Sequence, residues 1–319
     1  MPVAALTMED LHISVVIPTY NRGDLIGRAI QSVLEQTRRP HEVIVVDDGS
    51  TDDTRHVVSA FGGDIRYIHQ TNAGASLARN RGVREAKAEW VAFLDSDDVW
   101  LEQHLDRMAQ AIVQTNGAAD FYFADMEQTD NEGGGKLWEF CRFGIKGKYE
   151  MTRDGAEWVM MERQPMMLQT SVFRKSAYTE SGGLWERLKT RHDTHFFLKI
   201  GIGRPVCAVA GCGARQTSDD DPTNRLMSAS GPESLRFWDE TIPMYEDILA
   251  HPLKMTNQHR YLIRSRLANA HWRVSRFAWR ERRIRESAVQ AAKCLVVEPF
   301  TLLSILIHAP QVRLGLKSR

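Results

Sequence analysis

The sequence lacks most of the features that announce a function. It has four cysteines, Cys141, Cys207, Cys212 and Cys294, with no Cys-x-x-Cys pair and no evident disulfide framework, so they read as reduced cytosolic thiols. Met1 to Asp10 has no basic segment followed by an apolar run, so no signal peptide is expected. No apolar run approaches the ~18 residues a transmembrane helix needs. The longest, Phe300 to Ile307, is interrupted by Ser304 and reads as a buried helix or a membrane-surface contact. Lys plus Arg and Asp plus Glu are 41 each, and this zero net charge argues against nucleic acid as a bulk electrostatic partner. There is no G-x-G-x-x-G after the first strand and no GxxxxGK[ST] anywhere. Phosphate, if bound, is therefore not cradled mainly by a glycine-rich loop; carboxylate-held metal and arginine side chains have to do that work.

What is present centres on Trp90-Val91-Ala92-Phe93-Leu94-Asp95-Ser96-Asp97-Asp98. Five apolar residues in a row read as a strand buried on both faces. Three carboxylates then arrive within four positions. Charges are rarely buried unless paired or bound to metal, and open α/β sheets bind ligands at the carboxyl ends of their strands. Mg²⁺ or Mn²⁺ bridging carboxylate and phosphate oxygens is the natural occupant. The plain alternative is a solvated turn, with Asp98 capping a helix that begins near Val99.

The same design recurs upstream. His12 to Ile17 reads as a strand that runs into Pro18-Thr19-Tyr20-Asn21-Arg22, and a helix follows from about Asp24, with Leu25, Ile26, Ala29, Ile30, Val33 and Leu34 as its apolar stripe. Glu42 to Val46 is a second strand ending in Asp47-Asp48-Gly49-Ser50-Thr51-Asp52, with a short helix over 53–61. Asp52 reads more simply as the cap of that helix than as a ligand. Ile65 to His69 is a third strand and Gly74 to Lys87 a helix. This alternation is that of a parallel sheet with right-handed crossovers, which brings three polar strand ends to one edge.

Val16 to Arg22, Val46 to Asp52 and Phe93 to Asp98, with Asn72-Ala73-Gly74-Ala75-Ser76-Leu77-Ala78-Arg79-Asn80-Arg81-Gly82, resemble the four successive motifs of the family-2 inverting glycosyltransferases of the GT-A fold, clearly over residues 12 to 100 and loosely to about 215. The resemblance implies an α/β fold: a mostly parallel central sheet flanked by helices, Rossmann-like in its nucleotide-binding half, with a C-terminal helical region. It implies a nucleotide-sugar pocket lined by Pro18, Thr19, Tyr20 and Arg22. Asp47 or Asp48, preferably Asp48, would bond the base, which favours uracil. Arg79 would lie near the base or diphosphate, Asp95 and Ser96 near the ribose, and Asp97 would be the principal ligand of Mn²⁺ or Mg²⁺. Pro18 alternatively only ends its strand, and Asn80 and Arg81 read equally as ordinary helix residues.

Residues 101–115 read as a helix, 119–124 as a strand, Gly133-Gly134-Gly135 as a loop tip, Asp154 with Glu157 as a capping box, and 169–173 as a strand. Asp193, Phe196, Phe197 and Ile200 fall on one face of a helix over 190–199. By similarity, Gly182-Gly183-Leu184-Trp185-Glu186 and Asp193 match the family's Gly-Gly-Phe-Asp-Glu and Glu-Asp patterns, which makes Asp193 the general base. His192 stands where Glu is usual, and Leu184-Trp185 where Phe-Asp is usual. Pro205 to Ala210 is a further strand. Arg215, ahead of a polar stretch with Asp219-Asp220-Asp221-Pro222, is expected to contact the diphosphate as that stretch folds over it.

Residues 233–294 read as helices crowded with arginine, including Arg260, Arg264, Arg273, Arg276 and Arg285, which are either a solvated face or a site for anionic lipid headgroups or a lipid-diphosphate acceptor. The expected organisation is a glycosyltransferase domain over 1–215, with a donor half at 12–115 and an acceptor and base half at 116–215, then a loop and helical extension over 216–319. The expected function is metal-dependent, inverting transfer from a UDP-sugar to a hydroxyl of a glycan or lipid-linked acceptor. The expected location is cytoplasmic, with peripheral contact at the inner face of the membrane through the Arg-rich helices. The competing readings are a sugar-nucleotide nucleotidyltransferase, which would open with a glycine-rich phosphate loop, and a non-catalytic nucleotide-binding protein, which would lack Asp97 or Asp193.

Overall fold

The structure, a computed structural model, describes residues 5–128, 135–217 and 234–298. The expected tip at Gly133-Gly134, the acid run at 219–222 and the segment Phe300 to Ile307 lie outside them. The chain forms two compact units, Met1–Pro222 and Thr223–Arg319.

In the first unit, β1 (Ile13–Thr19), β2 (Glu42–Asp47), β3 (Ile65–His69) and β4 (Trp90–Phe93) pair in parallel in the order β3-β2-β1-β4. Helices α1 (Gly23–Leu34), α2 (Thr54–Ser59) and α3 (Ala75–Glu85) make the crossovers. Every residue of β1 and β4 is buried, as their unbroken apolar runs require. Pro18 does not end its strand: it is buried inside β1 opposite Val46, one position short of the edge. Gly82 brings α3 close to β1, since a Cβ there would lie 2.2 Å from Val16 Cγ1.

Beyond β4 the sheet is mixed. The next elements are β5 (Val99–Trp100), α4 (His104–Gln114), β6 (Phe121–Gln128) and β7 (Gly135–Lys136). They are followed by α5 (Leu137–Cys141), β8 (Tyr149–Thr152), α6 (Ala156–Val159), β9 (Ser171–Arg174), α7 (Lys175–Glu180), α8 (His192–Gly201) and β10 (Val206–Arg215). The order continues β4-β9-β6-β10-β5, with β9 antiparallel to both neighbours. The sheet is thus mostly parallel, as expected, with β9 as an antiparallel insertion between β4 and β6.

Four local expectations also change. Val99–Trp100 pairs with Ala214–Arg215, so the following helix starts at His104 and Asp98 is not its cap. The Asp154 capping box does not form; Asp154 Oδ1 accepts from the backbone N–H of Ala156 (2.9 Å) and of Gly203 (2.8 Å). Helix α8 is buried all round from His195 to Gly201, not on one face only. Register shifts at Val209/Cys212 and Cys212/Ala214 let β10 bend and run five residues past Ala210, to Arg215.

Packed on this half of the sheet are the rings of Phe121, Phe173, Tyr178, Phe196 and Phe197, with Phe173 centred 5.2 Å from Phe196 and 5.6 Å from Phe121. Each such ring contributes roughly 1.5–3 kcal/mol of burial free energy. That rigid base carries β9, α7 and the start of α8. All four cysteines are buried and unbridged.

The second unit contains α9 (Leu235–Ala250), α10 (Asn257–Arg280) and α11 (Ile284–Val297). Helix α10 opens with a capping box between Thr256 and His259. Among the described residues, no helix is long and apolar enough to cross a membrane.

Candidate active site

The first two strand ends are tied into one surface. Asn21, in a left-handed conformation (φ 50°), donates its N–H to Ser50 Oγ (2.8 Å) and accepts from the Thr51 N–H (2.8 Å). The Arg22 N–H donates to Thr54 Oγ1 (3.0 Å) and the Gly23 N–H to Asp52 Oδ2 (2.9 Å). Asp52 Oδ1 also accepts from the hydroxyl and N–H of Thr54, the first residue of α2. Burial works against the Asp52 charge, but these bonds outweigh it and hold the carboxyl below its usual range.

Asp47 is fully buried, accepting from the Ser50 N–H (2.8 Å) and the Tyr67 hydroxyl; burial and then the Asp47 charge push that phenol well above its usual range. Asp48 accepts from Gln70 Nε2 (2.7 Å) and the N–H groups of Ala73 (2.9 Å) and Gly74 (2.7 Å). Both acids thus brace the crevice wall, Asp48 by fixing the connection into α3. Gly49 (φ 86°) makes the turn that follows them, and a Cβ there would lie 2.9 Å from the Asn72 nitrogen. Thr19 is buried at the same edge, its carbonyl accepting the Asp48 N–H (2.8 Å), and Tyr20 stands half exposed at the rim.

At the end of β4, one oxygen each of Asp95, Asp97 and Asp98 lies within 4.8 Å of the others. Ser96 is buried between them in sequence. Arg79, only 6% exposed, donates to Asp95 Oδ1, while its Nε and Nη1 are buried with no hydrogen-bond partner. Burial works against the Arg79 charge, but Asp95 outweighs it, with smaller contributions from Tyr178 and Asp193, so the guanidinium is held more firmly charged than usual. Arg22 lies 3.7 Å from Asp97. Three carboxylates offer hard oxygen donors, and that set fits Mn²⁺ or Mg²⁺.

The three acids are not equivalent. Asp98 is 4% exposed and accepts from Gln169 Nε2 (3.0 Å) and the Thr217 N–H (3.3 Å). Burial first, then the charges of Asp95 and Asp97, push its carboxyl up to about 8. The Gln169 carbonyl accepts from Trp100 Nε1 (2.7 Å), and the Thr217 hydroxyl donates to the Asp97 carbonyl. Gln169 and Thr217 are site residues the sequence did not single out; a polar residue opening an apolar run was the only trace of Gln169.

Asn80 resolves in favour of a specific role. Its Oδ1 accepts from the Tyr178 hydroxyl (2.7 Å) and the Leu184 N–H (3.0 Å), and its Nδ2 donates to the Leu184 carbonyl (2.8 Å). The residue after Arg79 therefore latches segment 182–186 to α3. Trp185 in that segment packs its ring 5.0 Å from that of His195. Asp193 is half-buried in the first turn of α8, its Oδ1 accepting the Thr194 N–H (2.7 Å). Arg215 pairs in register with Val99, beside the exit of the acidic loop, and its Nε donates to Glu127 Oε2 (2.7 Å). Arg81 is a structural contact, donating to the His69 carbonyl and the Gln70 side chain (both 3.3 Å).

Comparison with known proteins agrees with this geometry. An uncharacterized glycosyltransferase of Rickettsia felis is 39% identical over 116 residues, covering 36% of this chain and 19% of that protein. The Escherichia coli enzyme WfgD, a UDP-Glc:alpha-D-GlcNAc-diphosphoundecaprenol beta-1,3-glucosyltransferase, is 36% identical over 127 residues, covering 39% and 49%. The chain thus spans about a fifth to a half of the length of these relatives. Staphylococcus aureus TarS, in its complex with UDP-GlcNAc, superposes with a TM-score of 0.65 at 21% identity, covering 89% of this chain and 80% of that one, a likeness of fold. The curled sheet with its flanking helices is the GT-A fold. The model of "Glycosyl transferase family 2" matches residues 14–176, just over half the chain and all three polar strand ends that build the crevice, so this chain belongs to glycosyl transferase family 2.

Proposed function

We propose that the chain transfers a sugar from a nucleotide-diphosphate sugar, UDP-linked by preference, to a hydroxyl of a glycan or lipid-linked acceptor, with inversion at the anomeric carbon. The observation that carries this reading is a single one. The clustered Asp95, Asp97 and Asp98 share an edge with a buried arginine, Arg79, whose Nε and Nη1 lack hydrogen-bond partners. The UDP-GlcNAc bound to TarS and the donor in the name of WfgD support uracil, and the latter name supports a diphosphate-lipid acceptor.

In this reading Asp97 is the principal ligand of Mn²⁺ or Mg²⁺, with Asp95 and Asp98 beside it. The cation supplies positive charge against the departing diphosphate. Arg79 offers Nε and Nη1 to the donor, and Arg22 adds a second guanidinium next to Asp97. Asp47 and Asp48 hold the base-side wall, Asp48 being preferred for the base contact, and Pro18, Thr19 and Tyr20 line it. Ser96 and Asp95 face the ribose. Asp193 takes the proton of the acceptor hydroxyl, which attacks from the face opposite the nucleotide. Arg215 closes on the diphosphate. Residues 12–115 thus serve the donor and 116–215 the acceptor and base.

Calorimetric titration with UDP, GDP and dTDP, each with Mn²⁺ or EDTA, tests the donor site. One nucleotide is expected to bind only with metal, and Asp97→Ala to weaken it at least ~10-fold. No binding of any of the three by folded protein refutes the assignment. Asp193→Asn is expected to bind the donor as wild type does while turnover falls by roughly 10²–10⁴; unchanged turnover refutes its role as base.

A further inference from the structure

We infer that α11 is a docking surface for an anionic lipid bilayer. This rests on the helical unit alone, so it stands or falls apart from the donor site. The helix is inside out. Its inward side meets α10 through polar groups: Ser275 Oγ donates to the Ser287 carbonyl (2.9 Å) and lies 3.1 Å from Ser287 Oγ, and His271 Nδ1 lies 2.7 Å from Gln290 Oε1. Its outward side is apolar. Ile284 is 52% exposed, Val289 55%, Leu295 47% and Val296 84%, and Ala288 and Ala292 are exposed among them. At 100° per residue these six fall on one arc of roughly 140°. Soluble surface helices show the reverse pattern, and a continuous exposed apolar face marks a contact surface.

Charge decides what that surface meets. Arg285 is exposed within the arc and Lys293 just beyond its margin, and Arg280, Arg282 and the 63%-exposed Trp279 stand at the turn leading into it. Residues 257–298 hold ten Lys and Arg against three Glu, and Glu281 and Glu286 are already paired with Arg283. A second copy presenting the same face would set these cations against themselves. The chain's own residues 299–319 carry Arg313, Lys317 and Arg319 and no acid, so they too would bring like charge to the face. A bilayer with anionic headgroups satisfies both the apolar arc and its cationic flank.

The test is sedimentation of the full chain with phosphatidylglycerol-containing vesicles and with pure phosphatidylcholine vesicles. Binding at least ~10-fold tighter to the anionic vesicles, and weaker in about 0.5 M salt, is expected. The double variant Val289→Glu, Val296→Glu changes only exposed positions. It is expected to lose at least ~10-fold in vesicle affinity, with its circular dichroism and nucleotide titration unchanged. Wild-type binding by that variant, or no vesicle binding by folded wild type, overturns the proposal. A Val296→Cys variant separates the other occupants. Its thiol is expected to react freely in buffer and slowly with anionic vesicles. Slow reaction in buffer at every protein concentration means the chain's own terminus covers the face. Slow reaction only where a dimer forms means a second copy does. Either result overturns the lipid assignment.

Discussion

Asp98 and His104 sit six positions apart and titrate in opposite senses. Asp98, pushed up to about 8 by burial and its two acidic neighbours, holds a proton in the metal-free folded chain that the unfolded chain releases near 4. The folded state therefore binds more protons between those values, and stability falls as pH rises through that window, by up to ~1.4 kcal/mol per pH unit. His104 is pushed down to about 3 by burial and then by Arg107. It stays neutral when folded and charges when unfolded, so its contribution is present above about 6.5 and lost as pH falls toward 3. Of the two, only Asp98 acts between 6.5 and 8. Urea midpoints in EDTA are expected to decline over that interval, and Asp98→Asn to flatten the decline; an equal slope in the variant refutes the assignment. None of this inequality was legible in Asp-Ser-Asp-Asp, because the partners that bury Asp98 are Gln169 and Thr217, 71 and 119 residues away. The presence of the acid cluster at a strand end, by contrast, was legible, since acids directly after five apolar residues mark the point where a buried strand leaves the sheet.

At the scale of elements, Gly82 shows why a motif that looks like generic helix carries a glycine. A Cβ at this position would meet Val16 Cγ1 at 2.2 Å and Cγ2 at 2.9 Å. Gly82→Ala is expected to destabilise by roughly 1–3 kcal/mol, overriding the ~0.5–1 kcal/mol that alanine gains in a helix. Gly63→Ala, where a Cβ meets nothing within 4 Å, is the control. A Gly82→Ala protein as stable as wild type in urea refutes the close contact. The elements from β1 to β4 were readable because each apolar run has one period and one length. Beyond them the signals fail for identifiable reasons. A two-residue strand such as Val99–Trp100 has no period, and α8 is buried on all sides, so its Asp-Phe-Phe-Ile face was only part of its contact surface.

At the scale of the whole molecule, zero net charge conceals a division. Residues 1–222 hold 25 Lys and Arg against 33 Asp and Glu, a net of −8, and residues 223–319 hold 16 against 8, a net of +8. Two oppositely charged halves on a chain without net repulsion favour association between molecules at low ionic strength. Light scattering near neutral pH is expected to rise below about 0.02 M salt and fall again on adding about 0.2 M, where the Debye length shrinks below ~8 Å. Scattering that ignores salt refutes this. The summed composition excluded a bulk polyanion partner for the chain as a whole, but it could not show that the charge is sorted by unit.

The pairing of β5 with β10 also sets the order in which the chain can assemble. Strands β1 to β4 pair with one another within residues 13–93, and of the four only β4 also takes a later partner, β9, on its outer edge. Val99–Trp100 has to wait for Ala214–Arg215, more than a hundred residues on. The loop from Asp95 to Asp98 hangs between an early anchor and a late one, and long-range closure of this kind is slow. During synthesis, which proceeds from the N-terminus, the nucleotide-side scaffold can form while its acidic loop is still open at one end. A nascent chain halted before residue 214 carries all three carboxylates but lacks the second strand that anchors their loop.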